Sequence, residues 1–234
     1  MKPWKQEQLH LLLDQRPPDA LFDHITAITH RMGFDHCAYG MRAPIPFAQP
    51  RILMFHNYPE SWQRRYQDKG YLDIDPTVRH GLASLEAYVW PAQKIAEGDV
   101  EFWAEASAHG LRDGLSMPVL TNNGIRGMFT VTRSTTDSDP YWAEKLEWLS
   151  NIVHQGMSKA VIHQSYAEGR PRLTDRELEV LKWTADGMTS GEIADAINIA
   201  ERTVNFHINS AVAKLGAPNR TAAVVRAVMM GLIT

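Results

Sequence analysis

Two short stretches fix more of this chain than any others: Thr174-Asp175-Arg176-Glu177 and, fifteen residues on, Thr189-Ser190-Gly191-Glu192. In each, the Thr hydroxyl and the Glu carboxylate three residues later satisfy orphan amides at a helix start, so both stretches read as helix N-termini. Gly187 lies between them as a helix stop. Helices of about 175–186 and about 189–196 follow. A third begins at Glu201, with Val204, Ile208, Ala211 and Leu215 at i, i+4, i+7 and i+11 forming its apolar stripe. Asn219 then caps a fourth, carrying Ala223, Val224, Ala227 and Val228.

The third helix has an unusual outer face. Opposite its apolar stripe lie Arg202, Asn205, Phe206, Asn209 and Ala213, with Thr203 beside them. A solvated face ordinarily carries Glu and Lys, whereas this one carries two amides at i, i+4 with an aromatic between. Asn pairs bidentately with adenine edges in the major groove. Two short helices followed by such a third are the helix-turn-helix arrangement, whose last helix enters that groove. Lys182, Arg202, Lys214, Arg220 and the amides starting the helix at Thr189 are candidates for phosphate contacts. A plain helical bundle with a polar face fits the same periodicity. Residues 171–234 hold seven Lys/Arg and seven Asp/Glu, so DNA binding is argued here from pattern and not from a basic charge.

The remainder reads differently. Six of the seven tryptophans precede residue 150, and Tyr166 to Arg172 combines Gly, Pro and charge without apolar periodicity. This divides the 234 residues into a domain over 1–166, a linker over 167–172 and a domain over 173–234. In the first domain, helical spacing covers 20–32, 59–68 with Pro59 at the first position, a short segment from Pro76, 99–109 and 140–165. Strand patterns cover 35–42, 51–56, 114–120 and 127–133, the last two joined by the turn-forming Asn122-Asn123-Gly124. The expected fold class is α+β: an N-terminal α/β/α sandwich around a central antiparallel sheet, then a four-helix helix-turn-helix domain.

Composition excludes several alternatives. At 44% apolar and 22% charged residues the chain is neither a disordered polar polymer nor a fibrous repeat. No apolar run reaches the roughly 18–20 residues of a membrane span, and the start does not read as a signal peptide. Cys37, the single cysteine, excludes an internal disulfide and reads as a small buried hydrophobe. A cytoplasmic protein with no membrane association is expected. Gly114 to Pro118 lacks the last glycine of a nucleophile elbow, and the ten histidines show no metal-ligand spacing. With no phosphate-binding glycine loop either, neither an enzyme nor a metal or organic cofactor is expected.

Leu173 to Ala194, Glu201 to Leu215, Asn219 to Ala222 and Gly231 to Ile233 together resemble the DNA-binding signature of LuxR-type regulators, with Glu177, Leu181 and Gly187 at near-invariant family positions. Ala200 stands where the family often has a capping Ser, and Ala213 where a basic residue is common. No acidic pair and phosphoacceptor Asp of a receiver domain appear ahead of it. Asn57 to Tyr66, Asp73 to Gly81, Val89-Trp90 and Gly110 to Pro118 instead resemble the autoinducer-binding domain of quorum-sensing members, which take N-acyl-homoserine lactones.

The resemblance implies a set of roles. Trp62 would donate its indole N–H to the lactone ring carbonyl, and Asp75 would accept the amide N–H. Tyr58 would donate to the amide carbonyl with help from Thr130, while Tyr66 and Trp90 would wall the cavity. Leu111, Leu115, Ser116 and Met128 are further lining candidates. Such a mostly apolar pocket with few placed polar groups is the usual small-molecule site. On spacing alone, Trp62 and Tyr66 equally suit a core pair at i, i+4, Asp75 a cap on a helix starting at Pro76, and Thr130 a plain strand position. Asp75 could serve as cap and ligand acceptor together, one oxygen for each. Gln63 and Ala38 replace polar or basic residues of some relatives, which leaves 3-oxo preference open. The implied whole is a lactone-responsive transcription regulator that binds an inverted-repeat operator as a homodimer, with RNA polymerase as a further partner. The alternative is a LuxR-type regulator that is constitutive or answers a different small molecule.

Overall fold

Three strands of the first domain are buried at consecutive positions, so the sheet they form is covered on both faces. The computed structural model describes residues 8, 16–42, 52–90, 99–120, 125–135, 142–164 and 171–233. The chain divides into two compact units, Met1–Val161 and Ile162–Thr234. In the first, α1 (Pro18–Arg31) leads into β1 (His36–Arg42) and β2 (Ile52–His56). Then come α2 (Glu60–Asp68), a 3-10 turn (Tyr71–Asp73), α3 (Pro76–Ala83), β3 (Tyr88–Val89) and α4 (Val100–Ala108). β4 (Asp113–Leu120), β5 (Arg126–Arg133) and α5 (Trp142–Gln164) complete the run. The strands form one antiparallel sheet in the order β2-β1-β5-β4-β3.

Register assigns the faces, because side chains alternate along a strand. Tyr39 lies opposite Phe129 and Phe129 opposite Met117, all buried. This face meets α1, where Leu21 and Ile25 are fully buried and the Phe22 ring sits 6.0 Å from Phe55. It also meets α5: the Tyr39 hydroxyl donates to His154 Nδ1 at 2.7 Å, and His154 Nε2 lies 3.0 Å from the Ile125 carbonyl. A carbonyl only accepts, so Nε2 carries the proton and the buried ring is the neutral tautomer. Burial also pushes the His154 pKa down. The ring comes so close to β5 that a Cβ on Gly127 would lie 2.7 Å from Nδ1, which makes glycine obligatory there. The other face carries Ala38, Thr130 and Ser116 in one cross-strand row and Gly40, Met128 and Pro118 in the next. Against it packs α3, whose Gly81 would place a Cβ 3.1 Å from Met128 Sδ.

The second unit contains α6 (Asp175–Ala185), α7 (Ser190–Ile197), α8 (Glu201–Lys214) and α9 (Arg220–Met229). Both capping boxes are formed, Thr174 with Glu177 and Thr189 with Glu192. Gly187, at φ +89°, ends α6 with the paired bonds of a Schellman turn, Met188 N–H to Trp183 O and Gly187 N–H to Thr184 O. The Asn219 side chain caps α9 through Ala222 N–H. Val204, Ile208, Ala211 and Leu215 are buried as their spacing requires, and α8 begins at Ala200 with no side-chain cap.

Three sequence expectations need correction. Pro59 is the N-cap of α2 and not its first helical residue, held at ψ 140°. Strand β3 and the 3-10 turn were not anticipated, being two and three residues long. Leu115 lies opposite Val131 and so faces away from the Ser116–Thr130 side of the sheet. The Asn122-Asn123-Gly124 turn and residues 167–170 of the expected linker lie outside the described residues.

Candidate functional site

On the α3 side of the sheet, aromatic residues from four elements gather. Trp62 of α2, Tyr71, Trp90, and Phe102 and Trp103 of α4 are buried together with Leu111. The Trp62 ring packs at 5.4–5.8 Å against Tyr66, Tyr71, Phe102 and His109. Trp62 and Tyr66 point the same way because they are one helical turn apart. The cluster is clasped from outside by Glu105, which accepts from Arg65 and from the Tyr71 hydroxyl, the latter at 2.7 Å. Arg65 above all holds the Glu105 carboxyl down at about 2.

Asp75 is the polar centre. Its backbone starts α3 ahead of Pro76, and its Oδ1 accepts from Thr77 N–H at 2.8 Å and the Thr77 hydroxyl at 2.7 Å. Its Oδ2 accepts from the Tyr66 hydroxyl at 2.9 Å. One oxygen thus caps the helix and the other faces the aromatic cluster. The side chain is 8% exposed and has no cationic partner among the described residues. Burial pushes its pKa up, and the bonds from Thr77 and Tyr66 pull it back. Burial, with the nearby Asp75 charge, raises the Tyr58 and Tyr66 hydroxyls far above their ordinary value, so both stay protonated donors. Tyr58 follows β2, its ring stacked at 5.6 Å on His56 and its carbonyl accepting from Gln63 Nε2 at 2.6 Å. Among the described residues, neither the Tyr58 hydroxyl nor the Trp62 indole N–H has a hydrogen-bond partner.

The sheet adds a second polar group. Trp90 Nε1 donates to Ser116 Oγ at 2.9 Å, and Thr130 Oγ1 donates to the same oxygen at 3.0 Å. With two bonds accepted there, the Ser116 hydroxyl proton is left for a third acceptor. Reversing the Thr130–Ser116 bond merely moves the spare proton to Thr130. Either way one buried donor on this row is available. Thr77, which fixes Asp75, was missed from the sequence, and Gln63 was named there only for its bearing on 3-oxo preference, not as the residue that fixes Tyr58. A Thr two positions after an N-cap Asp was the available signal for the first; none existed for the second.

In the second unit the outer face of α8 is exposed: Arg202, Thr203, Asn205 and Asn209, with Phe206 at 67% exposure. Ser190 donates its hydroxyl to Asn205 Oδ1 at 2.8 Å, tying the start of α7 to this face. Lys182 and Arg202 are exposed and have no partner among the described residues. Three expected phosphate groups are already engaged. Lys214 donates to both Glu177 oxygens at 2.8 Å, Arg220 to Met188 O at 2.8 Å, and Thr189 N–H to Glu192 at 2.7 Å.

Comparison with known proteins matches both units. Residues 18–157 fit the model of the autoinducer binding domain, and residues 171–227 that of the bacterial regulatory proteins of the luxR family. The chain is 38% identical over 238 residues to the transcriptional activator protein AnoR of Acinetobacter nosocomialis, covering 100% of each. It is 34% identical to the HTH-type quorum-sensing regulator RhlR of Pseudomonas aeruginosa, covering 87% of this chain and 85% of RhlR. The crystal structure of Escherichia coli SdiA superposes with a TM-score of 0.73 at 29% identity, covering 99% of this chain and 98% of SdiA. A structure of SdiA in complex with octanoyl-rac-glycerol gives 0.71 at 28%, covering 98% and 95%. These relatives are regulators and not enzymes. With an autoinducer-binding domain ahead of a helix-turn-helix DNA-binding domain, the chain belongs to the LuxR family of bacterial transcription regulators.

Proposed function

We propose that the first unit binds an N-acyl-homoserine lactone and that the second, in a homodimer, reads an inverted-repeat operator in the cytoplasm. The observation that carries the first half is the set of unmet polar groups around one aromatic cluster. These are two donors (Trp62 N–H and Tyr58 O–H), a buried carboxylate without a cation (Asp75) and a spare hydroxyl proton at Ser116–Thr130. A molecule presenting a ring carbonyl, an amide N–H and an amide carbonyl would answer these in turn. The ring carbonyl goes to Trp62, the N–H to Asp75 Oδ2, and the amide carbonyl to Tyr58 with Thr130, with Tyr66 and Trp90 as walls. The acyl glycerol in SdiA supports an acylated ligand of this general shape.

Thermal unfolding of the full chain with a panel of acyl-homoserine lactones tests this. A lactone at 100 times its dissociation constant should add about 2.7 kcal/mol to the first unit. A melting temperature indifferent to every lactone, in folded ligand-free protein, would rule the lactone out and favour a different effector.

For DNA, the proposed base-reading residues are Thr203, Asn205, Phe206 and Asn209, with Lys182 and Arg202 on phosphates and Thr189 reaching one only with what its bonds to Glu192 leave. Lys214 contributes only what its bonds to Glu177 leave. Two copies joined through α5 would set recognition helices one turn or more apart, positioned to engage RNA polymerase at a promoter. Asn209→Ala should cost about 1–3 kcal/mol of operator affinity and leave the lactone melting shift intact. Full sequence-specific affinity in a gel-shift titration would remove Asn209 from the reading face.

A further inference from the structure

The two amides on the outer face of α8 share a side chain but not a setting. Asn205 and Asn209 lie one turn apart, and both are exposed. Asn209 carries no hydrogen bond among the described residues. Asn205 does: its Oδ1 accepts from the Ser190 hydroxyl at 2.8 Å. The donor belongs to the other helix of the motif, as the first residue of α7.

The support under this bond is firm. Ile193 and Ala194 of α7 are buried in one cluster with Val204 and Ile208 of α8 and Val180 of α6. Glu192 accepts from both the N–H and the hydroxyl of Thr189, so the residue ahead of Ser190 is held within α7 and leaves Asn205 to Ser190. A Cβ on Gly191 would lie 4.0 Å from the Glu201 carboxylate. The start of α7 therefore runs beside Glu201 and Asn205, one turn apart on α8. In open water an exposed bond of this kind is readily exchanged for solvent. In a groove from which water is displaced it is electrostatically stronger.

The bond alters what each amide offers a base. A carboxamide has an oxygen that accepts and an NH2 group that donates. Pairing with adenine uses both arms, the oxygen for N6–H and the NH2 for N7. Guanine presents two acceptors on the same edge, N7 and O6. Asn209 has both arms to offer. Asn205 has its oxygen drawn to α7, and its NH2 group is the arm turned away from it.

We propose that Ser190 is a positioning residue for base reading: it holds Asn205 as a donor, so that Asn205 reads guanine while Asn209 reads adenine. This rests on the reading of α8 as the recognition helix above. By residue type alone both amides suit adenine, and the Ser190 bond is what separates them.

The full chain and its Ser190→Ala, Ser190→Thr and Asn205→Ala variants test it, each with four-, eight- and twelve-carbon homoserine lactones present. Each is used to select duplexes from a library randomised over both half-sites. The selected duplexes and their single-base-pair variants are then titrated by fluorescence anisotropy. Asn205→Ala identifies the base pair concerned as the one whose preference it erases. There wild type should favour guanine over adenine by about tenfold, the scale of one good amide–base contact. Ser190→Ala should bring adenine to within about threefold of guanine at that pair and leave every other preference unchanged. Ser190→Thr keeps the hydroxyl and should match wild type. A serine that merely supported the fold would weaken all sequences alike. Uniform weakening or an unchanged profile in Ser190→Ala, or a wild-type preference for adenine at that pair, overturns the inference while leaving α8 as the reading helix. Asn205→Ala that erases no preference removes Asn205 from the reading face and overturns both, as does wild type that selects no sequence.

Discussion

Replacing Asp75 with alanine is expected to weaken lactone binding by about 1.5–3 kcal/mol, roughly 10- to 150-fold, the usual worth of a hydrogen bond to a charged group. Isothermal titration of the purified variant checks it, and wild-type affinity would show that the ligand amide goes elsewhere. The carboxylate also organises its surroundings. Without it Thr77 N–H and the Tyr66 hydroxyl lose their acceptor, so α3 loses a cap worth about 1 kcal/mol. Asp75→Asn separates the two effects, since the amide oxygen still accepts one bond but carries no charge. The pH dependence has a definite sign. Burial holds the Asp75 pKa above its unfolded value. The folded, ligand-free unit therefore binds the extra proton, and its stability from this group is present in acid and lost as pH rises through the folded pKa. An N–H donated by ligand favours the carboxylate. Lactone affinity should accordingly rise with pH from the ordinary carboxylate range upward, and that rise should vanish in Asp75→Asn.

The second large effect is expected at Glu177. This residue closes the α6 capping box and, though 3% exposed, accepts from Lys214 on both oxygens and from Ser210 at 2.7 Å. Burial pushes its pKa up, but Lys214, Ser210 and the Thr174 amide outweigh that and bring it to about 2. Lys214 is itself 37% exposed, so removing Glu177 leaves no buried charge unpaired; losing the cap and the charge-assisted bonds together costs about 2–4 kcal/mol, a large part of what a unit of this size possesses. Glu177→Ala should therefore strip hydrogen-exchange protection from residues 175–229 in the full chain while leaving the sheet amides protected. Protection equal to wild type would show the ion pair to be dispensable. Because the folded pKa is depressed, this stabilisation is present above the unfolded value of about 4.3 and fades as pH falls toward 2. The helices of the second unit should loosen over that acid window, and Glu177→Gln should abolish the dependence.

What could be read in advance follows from how local each signal is. The helices of the second unit were legible almost to the residue because capping boxes, Gly187 and Asn219 are local chemistry, satisfied within a turn. The long strands were legible from alternation, but their faces were not. Leu115 was expected in the site from the resemblance, and only pairing with Val131 shows it turned away. Strand β3 is two residues long and exists through its partner β4, so no periodicity announces it. Asp75 was open between cap and ligand acceptor, and the structure gives Oδ1 to the cap and Oδ2 to the Tyr66 side. The shared hydroxyl proton of Ser116 and Thr130 depends on a cross-strand pairing and on Trp90, three segments that the sequence keeps apart.

The engaged cations of the second unit bear on how such a protein would search a genome. Of the seven Lys/Arg in residues 171–234, Arg176 is paired with Glu179, Lys214 with Glu177, and Arg220 and Arg226 with backbone carbonyls. Arg172, Lys182 and Arg202 are the exposed ones without a partner among the described residues. Each phosphate neutralised contributes a slope of about −0.9 in log affinity against log salt. A single copy would thus release few counterions and slip off random DNA at cellular ionic strength. Two copies on adjacent half-sites would double the slope and multiply the residence time. Occupancy of the operator would then follow the square of protomer concentration, and a gradual rise in folded, dimer-competent protein would be converted into an abrupt onset of transcriptional response.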